Sequence, residues 1–343
     1  MHLPLLLVAV LCLLSHLGHG LPSETDFFGR LSAKHDTCQT SLDGYKHIHR
    51  QIVQGALPPR FVHVQCGSGL ADLLKALVSA FHFALFSGRA LKIADPAMSA
   101  AYVSDMDLFS PHFTYGDFSR VPRGQSAVFH ATGFPHPLTA SPYFQAFAQG
   151  KNLSGVYKDK DHVFLDTGLL MPLDRLLNEQ MSVHAGELRR MGFTEENIFR
   201  CTVNFLMRPR RDIFDAHKPV FSQYLGKPEP STLFGVHIRL GDAAFKCGHI
   251  IPLVDLNKFA KYIHKLEFRY LWVKKGACAV YVTGDSPDAR RFMKGALGKE
   301  AIINDRAEPQ HISNLKSRFV ASEQQRAMQL AVSELMLLSA SNT

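Results

Sequence analysis

The sequence predicts an α/β protein made of two parallel-sheet halves, and three stretches carry that reading. Residues 61–94 spell strand, glycine turn, helix and strand, a βαβ unit and so the seed of a parallel sheet. Two later apolar runs, Leu233–Ile238 and Ala277–Thr283, each end in hydrogen-bonding side chains. Strands of an open α/β sheet deliver ligand-binding groups at that end. Between the two sets lies Lys227–Ser231 (KPEPS), polar and proline-rich, which suits a linker.

The chain opens with MHLPLLLVAVLCLLSHLGHG, where Leu3–Leu14 is apolar and Gly18 and Gly20 suit cleavage before Leu21. This predicts a signal peptide over 1–20 and entry into the secretory pathway. A short uncleaved signal anchor is the alternative, and membrane attachment is expected only in that case. No other stretch reads as a membrane span. The first strand is Phe61–Gln65, broken by CGSG at Cys66–Gly69. In the helix that follows, Leu70, Leu73, Leu74, Leu77, Val78, Phe81 and Leu85 form an apolar stripe, with Asp72, Lys75 and His82 off it. Gly88 ends the helix and Ala90–Ala94 is the next strand. The loop carrying Gly69 and Asp72 can hold a phosphate at the helix N-terminus or simply let backbone pass close to the sheet. Both readings stand, and the pattern is not GxGxxG.

Residues 95–150 scatter Pro, Phe and Ser and read as long loops that shape a cleft. A strand is expected at His162–Leu165, with helices over 173–191, 195–207 and 212–224. Beyond the linker come the Leu233–Ile238 strand, a helix over Leu256–Leu271 and the Ala277–Thr283 strand. A helix then opens at Pro287, and a last helix covers Ser322–Leu338.

Composition narrows the partners. With 343 residues, 46% hydrophobic and 20% charged, the chain is long enough for two well-cored globular domains. A net charge of +8 favours anionic ligands such as nucleotide sugars, acidic glycans or nucleic acid. The basic residues are dispersed and the leader points to the secretory route, so nucleic acid is not expected. Without Cys12, the cysteines are Cys38, Cys66, Cys201, Cys247 and Cys278, an odd number, so at least one is free, buried or paired between chains. No CxxC is present and the histidines show no ligand spacing, so no metal site is expected. Asn152-Leu-Ser154 is a glycosylation sequon.

The chemistry gathers at GVHIRLGD, Gly235–Asp242, where His237, Arg239 and Asp242 stand at a strand exit. Arg239 suits a diphosphate, because its planar fork of N–H donors matches phosphate oxygens and stays charged. Asp285 and Ser286 stand at the neighbouring exit.

These segments together resemble the plant-type fucosyltransferases that modify xyloglucan and related cell-wall glycans, within the wider GDP-fucose-dependent group. GLADLLKALVSAFHFALFSGRALKI resembles that family's glycine-loop helix, and DMDLFSPHF (Asp105–Phe113) its D-M-x-D-L-F segment. ENIFRCTVNFLMRPRRDIF (Glu196–Phe214), GVHIRLGD and AVSELMLLSASN (Ala331–Asn342) resemble three further segments. Departures are visible. His237 replaces the plant family's Gln and matches the H-x-R of the protein O-fucosyl and core types. Asp72 replaces Asn, and Ala71 replaces Gly.

The resemblance implies a GT-B type enzyme: two Rossmann-like domains facing across a cleft, an acceptor-side domain over 21–226 and a GDP-fucose domain over 232–343. Family members continue beyond the segment at Ala331–Asn342, so a C-terminally truncated second domain is expected. Arg239 would bind the donor β-phosphate and act as the catalytic cation, with His237 and Asp242 orienting it or touching the nucleotide. Asp285 and Ser286 would contact ribose or base, and Glu334 would read guanine. The reaction implied is inverting, metal-independent transfer of fucose to a sugar hydroxyl of a glycan, in the Golgi lumen. GDP-fucose is a co-substrate and no cofactor is needed. Asp72, Asp105 and Asp166 are acidic residues of the acceptor half, none assignable as general base. The other readings are a secreted non-catalytic relative or fragment that binds glycan or nucleotide sugar, and an oxidoreductase, which lacks the dinucleotide fingerprint.

Overall fold

A computed structural model describes residues 42–65, 69–109, 126–131, 142–167, 176–180, 182–213, 215, 232–238, 253–270, 278–284, 286–298, 301–303 and 321–340. It is α/β with parallel sheets. The described residues divide into two compact units, one drawn from Ser32–Arg210 and Lys316–Met328, the other from Arg211–Leu315 and Gln329–Thr343. The leader at 1–20 and the expected linker at 227–231 lie outside the described residues.

The first unit holds α1 (Asp43–Val53), β1 (Phe61–Gln65), α2 (Leu70–Ser87), β2 (Ala90–Ile93), α3 (Pro96–Ala101), β3 (Tyr102–Val103) and β4 (Ser126–Ala131). It continues with α4 (Pro142–Ala148), β5 (His162–Thr167), α5 (Ala185–Arg190), α6 (Ile198–Leu206) and β6 (Arg208–Pro209). Four strands form a parallel sheet in the order β2-β1-β5-β4. Strand alternation gives it two unlike faces. Val62, Val64, Leu91, Ile93, Val163 and Leu165 share one and are fully buried. The other carries His63, Gln65, Lys92 and Phe164, also buried, with His162 at its rim.

Helix α2 packs on β1, β2 and β5. It begins at Gly69 in extended backbone and ends at Gly88, whose φ of 61° is left-handed, the conformation glycine adopts without strain at a helix C-terminus. The expected solvent-facing side of this helix is only partly there. Asp72 and Lys75 are half-buried and pair at 2.5 Å, but His82 is fully buried, as are Ala76, Ala80, Phe83 and Ala84. His82 donates Nδ1–H to the Val78 carbonyl at 2.8 Å, which lets an imidazole sit in the core. Among the described helices α2 is apolar and long enough to cross a membrane, yet it lies 72% buried within the fold. It is a core helix with a partly open flank at Ala71, Asp72 and Lys75.

Two further expectations are corrected. Within 95–150, expected as long loops, the chain forms α3, β3 and α4 as well as β4, which runs parallel to β5. The helix expected over 173–191 is, among the described residues, helical over Ala185–Arg190 with a short turn at 176–177. Asn178 Oδ1 accepts from Gln180 N–H at 2.9 Å and Ser182 Oγ from His184 N–H at 3.1 Å, local bonds that compete with helix.

The second unit contains β7 (Thr232–Ile238), α7 (Leu253–Tyr270), β8 (Cys278–Gly284), α8 (Pro287–Leu297) and β9 (Ala301–Ile303). The division between units falls inside α9 (Ala321–Ala340). The three strands are parallel in the order β7-β8-β9. Val236, Ile238, Val280, Val282 and Ile303 from the sheet pack with Leu256, Ala260 and Ile263 of α7 and Ala289, Met293 and Leu297 of α8. Pro287 opens α8, where its missing N–H costs nothing, and Ser286 Oγ caps it by accepting from Ala289 N–H at 3.3 Å.

Candidate functional site

The parallel register of β7 and β8 places Ile238 beside Gly284, so both strands end level with one another. Arg239 and Asp242 follow the end of β7, and Asp285 follows the end of β8; all three lie outside the described residues. His237 is exposed, while its strand neighbours Val236 and Ile238 are buried, as alternation requires.

Gly284 is where the two exits touch. A Cβ built on it would lie 2.2 Å from the Ile238 carbonyl oxygen, a distance no side chain tolerates. Glycine is therefore required by close approach of two backbones. Its own carbonyl accepts from Arg290 Nη2 at 2.6 Å and Nε at 3.1 Å, so one guanidinium edge closes on a single oxygen. Arg290, in the first turns of α8, has a side chain only 4% exposed. Its Nη2 also lies 2.7 Å from Glu334 Oε1 on α9, whose side chain is 15% exposed. Glu334 is thus not a solvated helix residue. Thr283 and Tyr281 complete the surroundings. Burial pushes the Tyr281 hydroxyl pKa up, and the Glu334 carboxylate pushes it further, because a second negative charge there would be repelled.

Ser286, expected at the ribose or base, has its hydroxyl on the α8 cap. In the first unit, Gly69 is the N-cap residue of α2, and Asp72 sits one turn in, beside Lys75. Asp105 is exposed and bonded to Arg208 at 2.7 Å. Asn152 of the sequon is exposed, its Oδ1 accepting from Ser154 N–H at 2.9 Å. Cys201 is disulfide-bonded. Among the described residues no group of three or more His, Cys, Asp and Glu could hold a metal ion.

Sequence reasoning passed over Arg290. One signal was available: a cation in the first turns of a helix opposes the helix dipole, so it needs a carbonyl or carboxylate to face. Arg290 faces both.

The fold has known counterparts. No family model and no curated protein sequence matches the chain. Among solved structures, it is similar to Arabidopsis thaliana FUT1 in complex with GDP, at 14% identity and a TM-score of 0.58, over 94% of this chain and 74% of that one. It is also similar to the fucosyltransferase NodZ from Bradyrhizobium, at 15% identity and a TM-score of 0.51, over 82% of this chain and 86% of that one. At such identities the likeness is one of fold alone.

Proposed function

We propose that this chain is a GDP-fucose-dependent fucosyltransferase of the GT-B type, transferring fucose to a sugar hydroxyl of a glycan. The observation that carries the reading is the likeness of fold, which runs over 94% of the chain to a structure that holds GDP. The second unit supplies supporting geometry. Two parallel strands end level at Ile238 and Gly284, and Arg239 follows directly on the first. That is where an open α/β sheet receives a ligand.

In this reading Arg239 binds the β-phosphate and stabilises the negative charge that develops as GDP leaves. A fixed guanidinium does so without metal, since charge stabilisation by a preorganised cation is the main catalytic requirement. Transfer from a β-linked donor with inversion gives an α-fucoside. His237 and Asp242 orient Arg239 or touch the nucleotide, and Asp285 contacts the ribose or base. The acceptor is a glycan. Location in the Golgi lumen, soluble or anchored, is supported by the apolar leader, by the disulfide at Cys201 and by the exposed Asn152 sequon.

The test is titration of the purified chain with GDP, ADP and UDP, followed by GDP release from GDP-fucose over a panel of glycan acceptors. Selective GDP binding with acceptor-dependent release is expected. GDP binding without release on any acceptor would favour a non-catalytic binder, and no nucleotide binding by the folded chain would sink the donor site.

A further inference from the structure

The donor reading leaves the chemistry of one buried pair unused. The Arg290 guanidinium is expensive to bury, and a buried Arg–Glu pair is a poor source of stability, because apolar residues of the same volume serve at least as well. Among the described residues, neither Arg290 Nη1 nor Glu334 Oε1 completes a hydrogen bond, so the pair is not even fully compensated. Stability does not account for it. Its position does. Arg290 grips the Gly284 carbonyl with two donors, at 2.6 and 3.1 Å, while Glu334 holds the guanidinium from α9 at 2.7 Å. Gly284 in turn packs so closely on the Ile238 carbonyl that a Cβ would come within 2.2 Å. That carbonyl belongs to the same planar peptide unit as the nitrogen and Cα of Arg239. From Glu334 through Arg290 and Gly284 to the peptide of Arg239, every step is a short polar contact, a close packing or a covalent plane.

We propose that Arg290 and Glu334 are positioning residues that hold the exits of β7 and β8 together and so set the stance of Arg239 toward the donor diphosphate. This rests on the donor-site reading above and deepens it. Glu334 acts through Arg290 on the phosphate end of the site. A misplacement of about 1 Å at a catalytic group costs on the order of a hundredfold in rate, so such support has functional weight even where it adds nothing to stability.

The experiment is a double-mutant cycle on the full chain, read as GDP affinity by titration, with ADP and UDP as controls and the thermal midpoint as the check on folding. Glu334→Gln keeps the shape and removes the charge. It should weaken GDP about tenfold in the otherwise unmodified chain and by less than about twofold in an Arg239→Ala background, since the two act as one unit. Preference for GDP over ADP and UDP should be unchanged among the weakened variants. Arg290→Lys, which keeps the charge but loses the fork, should match Glu334→Gln.

Equal loss of GDP affinity with and without Arg239 overturns the proposal. So does a selective loss of GDP preference, which returns Glu334 to guanine recognition. An unmodified chain that binds no nucleotide overturns the donor reading and this inference together, whereas one that binds GDP and is indifferent to Glu334→Gln overturns the inference alone. Should Arg290→Lys fail to fold, amide exchange on the unmodified chain decides. GDP should slow exchange at Gly284 and through Ala289 and Arg290, and no change there refutes the link.

Discussion

The two parallel sheets bury polar groups at different places. In the first unit His63 and Lys92 are buried in mid-strand, and the buried histidines, His63 of β1 and His49 of α1, are kept neutral. Burial pushes the pKa of His63 down to about 3, with His162 and Lys92 adding repulsion, and that of His49 down to about 4, with Lys92 adding. His63 Nε2 and His162 Nδ1 share a hydrogen bond at 3.1 Å, and Phe164 stacks on His63 at 4.5 Å. In the second unit a charged pair sits at a strand exit, where Arg290 and Glu334 meet Gly284. Polar groups buried within strands serve packing, and the pair at the strand exit serves, on the proposal above, the residue that comes next.

The comparison can be broken in several places. The largest effect belongs to Arg239→Ala, which should lower fucosyl transfer by about a thousandfold or more, as loss of a main charge-stabilising donor does. Circular dichroism should be unchanged, and a variant with near-normal turnover would remove Arg239 from the chemistry. Gly284→Ala comes next. The methyl group meets backbone, so the exits must part, at a cost of about 1–3 kcal/mol. Denaturant unfolding of the variant measures this, and an unchanged midpoint would show that the exits are not in contact.

Acidification should separate the units. His49 and His63, together with His82, which burial pushes down to about 4, have folded pKa values below the unfolded value near 6.5. Their contribution is present above pH 6.5 and is lost as pH falls from there toward pH 4, because the unfolded chain takes up protons first. Between pH 7 and 5 each should cost the first unit about 1–2 kcal/mol. Amide exchange, corrected for its intrinsic pH dependence, should show α2 losing protection over this range while α8 keeps its own. Equal loss in both helices would end the contrast. The smallest effect is Tyr45→Phe. It removes the hydroxyl that accepts Leu91 N–H at 3.2 Å and should cost about 1 kcal/mol in denaturant unfolding.

Much of this was readable from sequence where the signal is local. The βαβ unit over 61–94 is announced by hydrophobic spacing and by Gly88, and α8 by Ser286 followed by Pro287. Where neighbours decide, the sequence misleads. His82 looks like a solvent-side residue until its ring nitrogen finds the Val78 carbonyl inside the core. β4 is short and sits in a Pro- and Ser-rich stretch, so only pairing with β5 defines it. The segment before α5 has helical composition, but Asn178 and Ser182 turn the chain by bonding it locally. At the candidate site, the strand exits were legible because apolar runs stop abruptly there. The Arg290–Glu334 pair was not, since it joins distant parts of the chain and appears only once α8 and α9 are packed.

The covered edge of β2 has a consequence for how this molecule behaves in company. Its outward amides, Leu91 N–H and Ile93 N–H, are taken by the Tyr45 hydroxyl and the Leu108 carbonyl, at 3.2 and 2.7 Å. A strand from another molecule finds no open donors there on which to add. Along that border sheet growth is closed from within, so crowding many copies into a small compartment does not turn β2 into a seed for fibres.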